Sequence, residues 1–116
     1  MNTIKVYGNS KTCPNCSLMK SYLDTLGEEY TFYDLAEEDK DLRQEYKRQL
    51  FSFFHKNEDK YIPVVIIDNN TKIVGYGVEQ IDKVNEYLLK RIYYIFHMTG
   101  AIKQYSDSNG YKILKP

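Results

Sequence analysis

Residues 62–67 read Ile-Pro-Val-Val-Ile-Ile and are closed by Asp68-Asn69-Asn70. A nearly continuous apolar run of this length, bounded by turn residues, fits a central strand buried on both faces. Such a strand needs a layer packed above it and another below, which points to an α/β architecture with helices on either side of a sheet. Proline has no N–H to give a sheet ladder, so Pro63 belongs at the very start of the strand, next to a loop. Asp68-Asn69-Asn70 then turns the chain back into residues 71–74 as a hairpin partner.

The rest of the chain supplies those layers. Residues 3–7 read as a short strand and residues 8–12, Gly-Asn-Ser-Lys-Thr, as a polar loop. From Pro14 onward Leu18, Met19, Tyr22, Leu23 and Leu26 recur at helical spacing and predict one buried face, with Gly27 as the stop. Residues 29–34 predict a second strand that turns Tyr30 and Phe32 inward. The acidic stretch 37–41 opens a second helix with an apolar stripe of Leu42, Tyr46, Leu50, Phe53 and Phe54. After a loop at 57–60, the long apolar run and its hairpin partner, Gly75-Tyr76-Gly77 leads into a third helix carrying Ile81, Val84, Leu88, Ile92 and Ile95 on one side. The order strand, helix, strand, helix, strand, strand, helix predicts a small mixed four-stranded sheet flanked by helices, its first two strands parallel. At 116 residues this is one domain, expected over 1–97, with a C-terminal extension over 98–116. In that extension residues 102–105 and 111–114 flank a polar turn, as a small hairpin or a loosely attached tail would. Tyr93, Tyr94, Phe96, Tyr105 and Tyr111 suit either a partner surface or a hairpin packed on its own sheet, and the second is the simpler expectation for a small domain.

Sixteen basic and sixteen acidic side chains balance to a net charge of zero, so no whole-molecule field favours nucleic acid or an anionic membrane. The first residues lead directly into a strand pattern without the apolar core of a signal peptide, and a soluble, cytoplasmic, monomeric protein is expected. In a reducing compartment a permanent disulfide is out of place, whereas a transient one is catalytic or sensory.

That expectation bears on the only two cysteines, Cys13 and Cys16, three positions apart around Pro14. Proline is favoured at the first helical position, which puts Cys13 at the N-cap and Cys16 in the first turn. The unpaired N–H groups and the positive dipole end at a helix start stabilise a thiolate, lowering a cysteine pKa there to somewhere between roughly 3.5 and 7.5. Cys13 is therefore the candidate nucleophile. Cys16, directed back toward the helix start, suits a resolving thiol in drier surroundings. Lys11 in the loop, ahead of Lys20, is the candidate for added positive charge. A zinc site would need two more ligands, and His55 and His97 are far apart within apolar, helix-like stretches, so no metal is expected. Two cysteines that merely pack would need neither a proline between them nor a polar loop before them.

Cys13-Pro14-Asn15-Cys16 after the first strand, Ile62-Pro63-Val64 opening the third and Val74-Gly75-Tyr76-Gly77 before the last helix together resemble the thioredoxin superfamily, and the glutaredoxin family most, over about residues 3–90. The resemblance implies a thioredoxin-like fold, a cis peptide bond before Pro63, and thiol–disulfide oxidoreductase activity with no bound cofactor and glutathione as co-substrate. It carries the catalytic roles onto Cys13 and Cys16. It carries a glutathione or thiol-peptide site onto Lys11, Pro14, Asn15, Ile62, Pro63 and Gly75, and onto the backbone N–H groups of Val78 and Glu79 at the helix start. The implied partners are glutathione and disulfide-containing proteins such as ribonucleotide reductase. The chain departs from the family pattern at three places: Asn15 stands where tyrosine is usual, Val74-Gly75 where two glycines are common, and Gly77-Val78 where a polar pair is common. These departures keep two alternatives open, a thioredoxin-like carrier reduced by a flavoprotein reductase and a redox-sensing regulator of arsenate-reductase-like fold. The latter proteins typically have arginine where Ile62 stands.

Overall fold

The computed structural model describes residues 3–99, and side chains as far as Leu88. Four strands and three helices follow in the expected order: β1 (Ile4–Gly8), α1 (Pro14–Thr25), β2 (Thr31–Asp34), α2 (Lys40–Ser52), β3 (Val64–Ile67), β4 (Thr71–Val74) and α3 (Val78–Thr99). The sheet order is β2-β1-β3-β4, with β1 parallel to β2 and antiparallel to β3, and β3 antiparallel to β4. The chain divides between Gln80 and Ile81 into two compact units. The first holds the sheet, α1, α2 and the opening of α3.

Within that unit β3 is buried at all four positions, as an apolar run in a central strand requires. Each such side chain contributes roughly 1.5–3 kcal/mol relative to exposure. Register sorts the two faces of the sheet. Tyr7 lies opposite Val64 and beside Tyr33, and these join Ile66 and Leu50 of α2 in one cluster with Leu35, Phe53, Phe54, Ile62 and Val74 packed around it. The Tyr7 and Tyr33 rings stack at 4.8 Å, and Tyr46 of α2 meets Tyr33 edge-on at 5.2 Å. Burial, with the nearby Tyr33 and Glu45, pushes the Tyr7 phenol up to about 12, and its hydroxyl donates to Gln49 Oε1 at 3.0 Å. The opposite face carries Val6, Val65 and Gly8, and α1 turns Cys16, Met19 and Leu23 into buried positions.

Local chemistry fixes the joints. Gly27, at φ 71°, ends α1, donating to the Asp24 carbonyl while Glu28 donates to Leu23, the paired bonds of a Schellman stop. Asp39 caps α2 by accepting from the N–H groups of Asp41 and Leu42. Asp68 and Asn69 both take positive φ in the three-residue loop 68–70 between the paired Ile67 and Thr71, where Asn70 N–H donates to the Ile67 carbonyl. Lys72 of β4 reaches back to Glu58 and the Phe53 carbonyl and lies 4.1 Å over the Phe54 ring, tying the loop after α2 to the sheet edge.

Several expectations are corrected. Gly8 belongs to β1 and not to the loop. β2 starts at Thr31 and both Phe32 and Tyr33 are half-buried, because α1 and α2 cover opposite faces there. Leu18 and Leu26 of the predicted α1 stripe are exposed, since the stripe centres on Cys16, Met19 and Leu23, and Leu42 of α2 is exposed as well. In the second unit Val84 and Leu88 are buried one turn apart. Ile92, Ile95 and the aromatic residues from Tyr93 onward fall outside the described side chains, and the expected hairpin over 102–114 falls outside the described residues. No helix of the described residues is long and apolar enough to cross a membrane.

Candidate active site

The loop between β1 and α1 is built from short-range bonds. Asn9 Oδ1 accepts from the N–H groups of Lys11 and Thr12 at 2.9 and 3.0 Å, which curls the chain toward the helix start. Asp34, at the end of β2 beside Gly8, fastens this loop from outside. Its carboxylate accepts from the Ser10 hydroxyl and from the N–H groups of Ser10 and Ala36. Burial alone would raise the Asp34 pKa, but these three hydrogen bonds and the Lys20 charge together hold it below the usual carboxylate value.

Cys13 is the N-cap of α1, with extended backbone and Pro14 in the first turn. Its carbonyl accepts from the N–H groups of Cys16 and Ser17, and its Sγ accepts from the Cys16 N–H at 3.1 Å. The sulfur thus occupies the place where a serine or aspartate oxygen would cap a helix. Cys13 and Cys16 are joined in a disulfide across a Cα–Cα distance of 5.3 Å. The two sulfurs differ in access: Cys13 is half-buried, whereas Cys16 is 1 % exposed. A Cβ placed on Gly8 would lie 2.7 Å from Cys16 Sγ, 3.0 Å from Cys16 Cβ and 3.1 Å from Phe32 Cε1. Cys16 is therefore pressed against bare backbone at the end of β1. Lys20, one turn along α1, holds its ammonium 4.0 Å over the Phe32 ring.

Ser10, Lys11, Thr12, Cys13, Pro14 and Ser17 line an open pocket of about 240 Å³. Of the residues expected at the site, Lys11, Cys13 and Pro14 meet there. Cys16 lies beneath, and Asn15 is exposed without lining the pocket. Lys11 also stands 3.8 Å from Glu38, a pair so exposed that it holds the lysine only weakly. Because β3 runs antiparallel to β1, the start of β3 lies at the same sheet end as Gly8. The Ile62–Pro63 peptide bond there is cis, as the resemblance implied, and the Pro63 carbonyl accepts from Gly75 N–H at 2.7 Å. Gln80 Nε2 donates to the Val74 carbonyl and anchors the start of α3, where Val78 is 78 % exposed and Glu79 is exposed beside it. Among the described residues no group of three His, Cys, Asp or Glu is placed to hold a metal.

Sequence reasoning missed Gly8, Ser10, Thr12, Ser17 and Asp34. An Asx turn was legible in the Asn9 spacing. The Asp34 clasp and the Gly8 contact join residues distant in sequence and left no local signal.

Residues 4–71 match the family model described as glutaredoxin. No curated protein matches the chain. Among solved structures, the glutaredoxin grx-1 from Archaeoglobus fulgidus superposes with a TM-score of 0.58 at 22% identity, covering 72% of this chain and 85% of its own. A point mutant of the thioredoxin-like protein BC3987 gives 0.52 at 26% identity, covering 74% and 97%. Glutaredoxin 1 from Francisella tularensis, solved with cacodylate, gives 0.53 at 16% identity, covering 78% and 99%. The thioredoxin-like fold follows from these superpositions. The family match spans most of the sheet, α1 and α2, and includes the paired cysteines, so the chain is a thiol–disulfide oxidoreductase and belongs to the glutaredoxin family.

Proposed function

We propose that this protein reduces protein disulfides and glutathione mixed disulfides, with Cys13 as the attacking thiolate and glutathione as the source of electrons. The observation that carries this reading is the capping of α1 by the Cys13 sulfur at the mouth of the pocket, with Cys16 buried beneath it. In the reduced protein the Cys16 N–H and the helix dipole favour negative charge on Cys13. The thiolate attacks one sulfur of the substrate disulfide, breaking that bond, forming a Cys13–substrate bond and releasing the other half as a thiolate that takes a proton from water. Cys16, losing its proton, then attacks the Cys13 sulfur. The Cys13–Cys16 bond forms, the second substrate thiol leaves, and the two electrons gained by the substrate have come from the protein dithiol. Two molecules of glutathione restore the dithiol and are oxidised to glutathione disulfide. With a glutathione mixed disulfide, Cys13 takes up the glutathionyl group and a second glutathione removes it, so Cys16 is dispensable. In this reading Lys11, Pro14 and the backbone at Ile62, Pro63 and Val78 would take up a bound thiol peptide. No membrane or nucleic acid is part of this reading, which places the protein as a cytoplasmic monomer.

A second reading has a specific observation in its favour. Val78 is highly exposed and Glu79 follows it where glutathione's carboxylate would meet the start of α3, while Lys11 leans toward Glu38. An apolar and acidic rim of this kind suits a carrier reduced by a flavoprotein reductase. NADPH-coupled reduction of a small mixed disulfide separates the two. Turnover with glutathione and glutathione reductase supports the first, turnover with thioredoxin reductase alone supports the second, and silence in both favours a regulatory role.

A further inference from the structure

We infer that Gly8 is a positioning residue for the redox pair: the Cβ it lacks is the space that Cys16 Sγ occupies in the disulfide. Gly8 ends β1 in register with Asp34, and its φ is ordinary, so backbone freedom does not account for a glycine here. Space does. A Cβ would come within 2.7 Å of Cys16 Sγ, with Cys16 Cβ at 3.0 Å and Phe32 Cε1 at 3.1 Å closing the remaining directions. The neighbours have little room to give. Cys16 is tethered to Cys13 by its own N–H, and Phe32 lies under the Lys20 ammonium. Overpacking a filled site forces side chains off their preferred positions. The displaced group is the one free to turn, the Cys16 side chain, once its bond to Cys13 opens.

This inference rests on Cys13 and Cys16 cycling between dithiol and disulfide, as proposed above. The methyl of alanine at position 8 opposes the disulfide, in which Sγ is pinned against β1, more than the dithiol, in which Cys16 can rotate away. In oxidation, two protein thiols give two electrons and two protons to glutathione disulfide, which becomes two glutathiones. The equilibrium constant for that exchange reports the geometry of the pair directly and does not depend on which disulfide the protein reduces in the cell. Failure of the proposed function and failure of this inference are therefore separate outcomes.

The test is redox titration of the full chain and of Gly8→Ala in glutathione buffers, scored by mass after alkylation of free thiols. The expected result is a fall in the oxidation equilibrium constant of Gly8→Ala by about tenfold or more, equivalent to about 30 mV per factor of ten. An equilibrium constant within twofold of the parent, in a folded variant, would overturn the inference. If Gly8→Ala does not fold, Gly8→Ala combined with Cys16→Ala decides the matter. Recovery of folding once the sulfur is gone supports a sulfur-sized slot, and continued failure to fold shows that Gly8 serves β1 packing and not the redox pair.

Discussion

The two cysteines sit 5.3 Å apart at their Cα atoms, yet their surroundings are made in different ways. Cys13 is held by residues within a few positions of itself: Asn9 curls the loop, Pro14 starts the helix and the Cys16 N–H meets the sulfur. Cys16 packs against Gly8 at the end of β1, a neighbour that only the folded sheet brings near. The difference teaches that the more accessible cysteine is placed mainly by its own segment, with Asp34 clasping the loop, whereas the dry one depends on the sheet behind it. A further consequence is that damage to the fold should reach Cys16 before it reaches Cys13.

The contrast is broken most completely at the sulfurs. Cys13→Ser is expected to lower disulfide reduction on the order of 1,000-fold or more, as loss of an activated nucleophile does. Cys16→Ser should keep deglutathionylation within about threefold while losing the dithiol reduction of protein disulfides. Coupled NADPH oxidation with each substrate measures both, and an active Cys13→Ser protein would contradict the assignment. On α1 itself, Leu23→Ala should cost about 2–5 kcal/mol in urea unfolding, because Leu23 shares the buried face of Cys16. Leu18→Ala on the outer face should stay within about 0.5 kcal/mol.

Smaller effects sharpen the comparison. Asp34→Ala removes two hydrogen bonds to Ser10 of the loop and one to Ala36, and should cost about 1–2 kcal/mol while lowering the Cys13 attack rate. Because the folded-state pKa of Asp34 is depressed, its contribution is present above the ordinary aspartate value of 3.8 and lost as pH falls through the lower folded value. Unfolding midpoints measured from pH 6 down to pH 2 should therefore converge between parent and variant. Tyr7→Phe acts on the other face of β1 and should cost about 1 kcal/mol through the lost bond to Gln49. Here the folded pKa is raised to about 12 from 10.0, so stability is present below pH 10 and lost as pH climbs toward 12. The variant should resist alkaline unfolding better than the parent across that window. Its glutathione equilibrium constant should not move, because Tyr7 points away from Cys16.

Much of this was legible in the chain. The Ile62–Ile67 run, the Pro14-started helix and the Asp68-Asn69 turn each carry a local physical signature, and the order of elements follows from them. The placement of Cys13 at a helix N-cap was readable for the same reason. Gly8 was not, because a glycine after a short strand reads as loop, and only the pairing of β1 with β2 beneath α1 makes its missing side chain count. Asp34 was hidden similarly: an aspartate at a strand end looks like a solvated turn residue until the sheet sets it beside Ser10. The exposed Leu18 and Leu26 show the reverse error. Apolar residues at helical spacing widen a stripe in sequence beyond what Cys16, Met19 and Leu23 bury.

The most direct test of the account is competitive alkylation of the fully reduced protein with substoichiometric iodoacetamide across pH 4 to 9, with Cys13 and Cys16 read separately by peptide mass. Cys13 should label at least about tenfold faster at pH 7, with a labelling midpoint below that of an ordinary cysteine. Equal labelling of the two thiols, or a Cys13 midpoint near the ordinary cysteine value of about 8.5, would contradict it.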